Sequence, residues 1–399
     1  MNRKRTALAR MGLLVLAALL LGAGSRSHGC LICLPIPTTS SADYLLDSDL
    51  VVIAREDPGA PYWLRIVKVL KGDASGVERE FFLEGPLQPA PSPNRNREVI
   101  CAYGSREGRS QPEWARVGDA DIAFTPLVDE ILKRGQQWKA KPKERASFFA
   151  EYLGHRDQQV RALAHLEVAR APYDQIRGFS GALSPEELRS SLQNSRLTDW
   201  HPLYILLLAQ SDEDIDHQLI AGKVRAAAEA GRNLHLAAWL TGWIEFDSDA
   251  AFDFLQGNYL SGPARDAAEI RALSLALSVH GNRGHQYLRP RITQAYQKIL
   301  ERHPAMATGI VTDLMAWEQW DLAEAIVPII SDPPPGLDQA SLLQLQAYLR
   351  QAAEKSPAPG ALPESGSRRV LLLILLALLI AIPVRLSLRR WKPGRAVSP

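Results

Sequence analysis

From about residue 141 to residue 353 apolar side chains recur at helical spacing, with only short polar or glycine- and proline-rich breaks, and this sustained period constrains the fold more than any other feature. Residues 144–153 place Ala146, Phe149, Ala150 and Leu153 on one face, and residues 158–171 do the same with Val160, Leu163, Ala164 and Val168. Asp157, between them, is placed to cap the second helix. Further helices are expected over 202–210, 214–230, 234–243, 248–260, 265–279, 286–302, 305–317, 322–330 and 341–354, with breaks at 231–233, 261–263, 281–284 and 332–336. Short helices joined by short loops predict an α-solenoid of irregular hairpins, with a compact helical domain as the alternative.

The segment before the helices has a different pattern. Residues 41–54 end in a β-branched apolar run, residues 62–70 alternate, and the Glu56-Asp57-Pro58-Gly59-Ala60-Pro61 stretch between them is turn chemistry. Shorter strands are expected at 80–83 and 99–102, separated by a loop rich in Pro and Asn at 86–96. Several short strands with such loops predict a small barrel or sandwich. The fold class is therefore multidomain: a small all-β, OB-like barrel over 28–138, an all-α helical-repeat domain over 141–355, and one transmembrane helix.

Two resemblances sharpen these expectations. Asp157, Val160, Arg161 and Ala164 resemble the second-helix signature of HEAT-type repeats. Cys30-Leu-Ile-Cys33, then Ala42-Asp43, Ser48-Asp49-Leu50-Val51-Val52, a strand ending Val69-Leu70-Lys71-Gly72 and a lone Cys101 resemble, in that order, the netrin-like, OB-fold module of the tissue inhibitors of metalloproteinases and their bacterial relatives. That family begins with Cys-x-Cys and carries more cysteines than the three present here. The resemblance implies an inhibitor function if a leader is cut after Gly29, since in the family the terminal amine and carbonyl of the first cysteine chelate the target's zinc. Independently of the family, cysteines of an exported protein tend to pair, so Cys101 is expected to bond Cys33 or Cys30. A CxxC redox pair and a metal site involving His28 and Cys30 are the alternatives, while a c-type haem site is excluded because position 34 is Leu and not His.

The two ends read as addresses. Residues 1–10 are basic, 11–21 are unbroken apolar and 22–27 are small and polar, the layout of a signal peptide over 1–27 with a cut after Ser25 or Gly29. Lipid attachment at Cys30 is disfavoured, because Ser27-His28-Gly29 lacks the aliphatic residue three before the cysteine. Residues 356–367 read as a flexible linker that contains Leu362-Pro363-Glu364-Ser365-Gly366, similar to a cell-wall sorting pentapeptide with Ser in place of Thr. Residues 368–388 are expected to form a transmembrane helix, and the basic tail 389–399 orients it with the C-terminus in the cytoplasm. Twelve of the 46 Lys and Arg lie in 1–27 and 368–399, which carry no acid, so the body over 28–367 holds all 44 Asp and Glu and has a net charge of about −10. An acidic body argues against nucleic acid as a partner.

No H-E-x-x-H, G-x-S-x-G, Walker A or dinucleotide fingerprint occurs. The 211–217 stretch Ser-Asp-Glu-Asp-Ile-Asp-His could be imagined as a cation site, but a Ser211 cap followed by acids in a first helical turn explains it more simply. His280 and His285 flank a Gly-Asn-Arg-Gly loop with no third ligand in sequence and are expected at the surface. Trp239 and Trp243, four apart among Leu and Ala, are expected in the core, whereas Trp200, Trp317 and Trp320 are candidates for an interaction surface. These observations predict no catalytic residues, no cofactor and no metal. The expected protein is a non-enzymatic, single-pass protein of the bacterial inner membrane whose exported body binds protein partners. A peptidase inhibitor acting through its N-terminus and an envelope enzyme with a dispersed site are the alternatives.

Overall fold

The computed structural model describes residues 39–57, 60–83, 98–105 and 111–355, together with Ile32 and Pro37. The expected signal segment, Cys30, Cys33, the linker with its LPESG pentapeptide, the 368–388 segment and the basic tail lie outside the described residues. Among the described residues no helix is long and apolar enough to cross a membrane.

Five strands, β1 (Leu50–Asp57), β2 (Ala60–Lys71), β3 (Glu80–Phe82), β4 (Glu98–Gly104) and β5 (Glu113–Asp119), form one antiparallel sheet in the order β3-β2-β1-β4-β5. The central strand β1 pairs Val52 with Val69 on one side and with Cys101 on the other. It is buried on both faces, which explains why it reads Leu-Val-Val-Ile-Ala and not as an alternation. Leu50, Val52, Ala54, Leu64, Phe81, Leu83, Val99 and Cys101 share one core. The sheet curls over that core far enough for Phe81 of edge strand β3 to stack on Trp114 of edge strand β5, with ring centroids 3.8 Å apart. The result is a curled half-barrel with β3 and β5 as edges. Cys101 is buried at its centre with no disulfide among the described residues, and burial pushes its thiol pKa up to about 12.

The expected strand over 41–54 is corrected at its first half. Residues Ser41–Asp47 form a helix, α1, because Ser40 and Asp43 build a capping box: the Ser40 hydroxyl accepts from the Asp43 N–H and the Asp43 carboxylate from the Ser40 N–H. Ala42 and Leu45 then fall three apart on its buried face. The Lys71-Gly72 strand end serves this helix. Lys71 Nζ donates to the last-turn carbonyls of Leu45 and Leu46, at 3.1 and 2.8 Å. Gly72 turns with φ +82°, and a Cβ there would lie 2.1 Å from the Asp49 carbonyl oxygen. Gly72→Ala combines left-handed strain with a backbone clash and is expected to cost about 2 kcal/mol in a urea-unfolding titration.

Fifteen α-helices occur among the described residues. After α1 come α2 (Phe124–Ala140), α3 (Pro142–Ala150), α4 (Gln158–Ala169), α5 (Tyr173–Ile176), α6 (Pro185–Gln193), α7 (His201–Leu208), α8 (Asp214–Ala230), α9 (Leu236–Phe246), α10 (Ser248–Leu255) and α11 (Ala267–Arg283). Helix α2 was missed in sequence, and it begins within the span expected to be all β. Asp157 caps α4 as expected, accepting from the Gln159 and Val160 N–H groups. The break expected at 281–284 is corrected, since α11 runs through Gly281 to Arg283. Helix α9 packs against α7, α8, α10 and α11, which is why Leu-Ala-Ala-Trp-Leu-Thr-Gly-Trp-Ile is apolar on all sides.

The half-barrel and helices α1–α11 belong to one compact unit ending at Leu288. Asp43 of α1, Arg145 of α3, Glu167 of α4 and Arg170 form an ion-pair network within this unit. Burial alone would raise the Asp43 carboxyl; the Arg145 guanidinium, the Ser40 N–H and Arg170 outweigh it and hold the carboxyl below its usual range. The second unit begins at Arg289 and contains α12 (Arg289–Arg302), α13 (Ala307–Ala316), α14 (Ala323–Ser331) and α15 (Gln339–Lys355).

Candidate functional site

Helices α6 and α8, with the loop entering α9, enclose a groove of about 800 Å³. Leu192, Ile215, Leu219 and Trp239 contribute apolar surface, and Lys223 and Arg232 bring positive charge. Ile215 and Leu234 remain 59% and 69% exposed, more than isolated core-facing residues of a helix would be. Arg189 at the other wall is already neutralised by Glu213 and Asp216, at 2.8 and 2.7 Å. Lys223 and Arg232 have no ion-pair partner among the described residues.

The loop that closes the groove is held in an unusual conformation. Gly231 ends α8 in the left-handed region, and His235 also adopts φ 54°. A non-glycine residue in this region carries backbone strain. His235 Nε2 is buried without a hydrogen-bond partner among the described residues. Burial and the neighbouring His201 ring lower the His235 pKa, so the side chain is neutral at pH 7.

A second concentration of functional groups lies where α9 and α11 meet. Glu245 in the last turn of α9 accepts from the Tyr173 hydroxyl and from Arg177 Nε, both at 2.7 Å. The surface placement expected for His280 is corrected: it is fully buried, because Gly281-Asn282-Arg283 continue the helix and carry its ring inward. His280 Nε2 lies 3.0 Å from the Thr241 carbonyl oxygen, which can only accept, so the ring proton sits on Nε2. Nδ1 is buried with no hydrogen-bond partner among the described residues. Burial pushes the His280 pKa down to about 4, so the ring is neutral at pH 7. His285 stacks parallel to it at 5.5 Å, and its Nε2 approaches the Glu245 carbonyl at 3.1 Å and carboxylate at 3.3 Å. The group that joins the two histidines, and that the sequence does not place beside them, is Glu245, on a different helix 35 residues before His280.

The expected interaction tryptophans do not meet at either place. Trp200 is half-buried, with its ring centroid 5.4 Å from that of His165. Trp317 is buried and stacks on Tyr296 in the second unit, where Trp320 lies against Tyr348. Trp239 and Trp243 are buried as expected, yet Trp239 also lines the groove. The expected Ser211 cap is corrected to Glu213; Ser211 Oγ instead accepts from the Glu213 N–H. Of the acids beside it, Asp216 is fully buried and paired with Arg189. Comparison of the chain with protein-family models, with curated proteins and with solved structures finds no match.

Proposed function

We propose that this chain is an exported, membrane-held interaction protein of the bacterial envelope that captures an apolar segment bearing acidic groups in the groove between α6 and α8. The observation that supports this reading most directly is the groove's composition: an apolar lining with two cations, Lys223 and Arg232, that have no ion-pair partner among the described residues. Buried apolar contact supplies affinity in such a groove, and charge at the rim supplies orientation and partner choice. Export and anchoring rest on the tripartite basic, apolar and small-residue start and on the apolar 368–388 segment with its basic tail.

The test is co-purification of the full chain from its native membranes, comparing wild type with Lys223→Glu/Arg232→Glu and with Ile215→Asp/Leu234→Asp. All four positions are exposed, so the variants should fold. A specific partner should be recovered with wild type and lost at least about tenfold in both variants. Equal recovery with the variants, or no specific recovery with wild type, refutes the groove as the docking site. Recovery that survives both variants but is lost on removal of residues 28–33 would favour the peptidase-inhibitor reading.

A further inference from the structure

We infer that Glu245, His280 and His285 form a binding site for a divalent transition-metal ion of the zinc class, with His280 coordinating through Nδ1. One ring nitrogen of each histidine and one carboxylate oxygen of Glu245 lie within 4.8 Å of one another. Two imidazoles and a carboxylate are a ligand set that suits zinc and its neighbours, and three protein ligands leave a fourth position for water. The surrounding contacts are those a metal-binding histidine requires. The Thr241 carbonyl fixes the His280 proton on Nε2 and directs the lone pair to Nδ1, while the Tyr173 hydroxyl orients the Glu245 carboxylate.

His280 Nδ1 is the observation that the hydrogen-bond network by itself leaves unexplained. Glu245 is satisfied by Tyr173 and Arg177, and His285 by Glu245, but Nδ1 is buried with nothing among the described residues donating to it. Burying an acceptor without a donor is unfavourable unless something occupies it at another stage. Gly284 keeps its approach open: a Cβ at that position would stand 2.6 Å from Nδ1 and 3.0 Å from the His280 Cα.

Metal–ligand bonds of about 2.0–2.2 Å require the three donors to draw closer than they now stand. The groups with room to move are His285 and Arg177, whose side chains are 20% and 31% exposed, whereas His280 is fixed. Arg177 occupies the cation position beside Glu245 and must yield when the ion enters. It is therefore a competitor and not a ligand.

The test titrates the folded full chain, with Cys30 and Cys33 replaced by serine so that they cannot bind and Cys101 shielded by its burial, with Zn²⁺ by calorimetry and with Co²⁺ by visible absorption. Saturable binding of one ion per chain is expected, with Co²⁺ bands of a nitrogen and oxygen site. Glu245→Gln and His285→Ala should each weaken binding at least about tenfold, with circular dichroism confirming the fold. Arg177→Ala should leave binding intact or tighten it by removing the competing charge. Absence of saturable binding to wild type, binding unchanged in Glu245→Gln or His285→Ala, or loss of binding in Arg177→Ala overturns the proposal.

Discussion

Replacing Arg145 by alanine is expected to lower the unfolding free energy by about 3–5 kcal/mol, the largest single-residue loss the ion-pair network predicts. Arg145 bridges two elements far apart in sequence: its Nη2 lies 2.6 Å from Asp43 Oδ1 and its Nε 2.7 Å from Glu167 Oε2. The Glu167 side chain is only 4% exposed and that of Asp43 14%, so neither carboxylate can turn to water when the guanidinium is removed. Arg170 remains, 2.7 Å from Asp43 and 3.4 Å from Glu167, but these existing contacts do not replace the donors that Arg145 supplies. Arg145→Met keeps most of the aliphatic stem and should lose nearly as much, which separates the missing charge from missing packing. Asp43→Asn should cost less, since it removes a charge and keeps an acceptor. Urea-unfolding curves of the three variants test the ranking, and a loss below about 1 kcal/mol for Arg145→Ala would mean that the carboxylates rehydrate without it.

Acid is expected to destabilise the fold well before carboxylates titrate, because of His165. This ring is buried, its Nδ1–H donating to the Arg161 carbonyl at 2.7 Å and its Nε2 accepting from the Tyr204 hydroxyl at 2.8 Å. Burial pushes its pKa down from 6.5 to about 4, against the opposing effect of the Arg161 carbonyl. Between those values the unfolded chain binds the proton and the folded chain does not. The neutral ring's advantage is therefore complete above about pH 6.5 and is lost progressively down to about pH 4, by on the order of 3 kcal/mol. His165→Asn preserves a donor toward Arg161 but cannot gain charge. It should be less stable than wild type at pH 7 and should flatten the stability slope between pH 6.5 and 4. Burial shifts His280 in the same direction, so the informative quantity is the difference in slope between variant and wild type. Identical slopes would show that His165 is protonated in the folded state.

These two cases show where the sequence stops being legible. The period of residues 141–353 is local, repeating every few residues, so the helices it predicts recur in the structure, with α8 found at the expected 214–230. The β-branched run of β1 is equally local. Helix α1 was hidden because its seven residues are too few to display a period, and its identity rests on one reciprocal Ser40–Asp43 contact. Arg145 looked like any charge on a helix surface. Its partners lie 102 and 22 residues away, and only packing brings them together.

The candidate sites separate along the same line. Net acidity of the body, the cysteine positions, the apolar ends and the helical alternation follow from composition and short-range order, and the sequence by itself determines them. Tertiary structure alone decides that an acidic body carries a groove with two cations unpaired among the described residues, since charge summed over the chain says nothing about which residues become neighbours. It alone decides that Trp317 is core and that Trp239 also walls a groove. His280 and His285 were visible in sequence as an unremarkable pair. Burying one ring, supplying Glu245 from another helix and leaving Nδ1 without a donor required α9 and α11 to pack side by side.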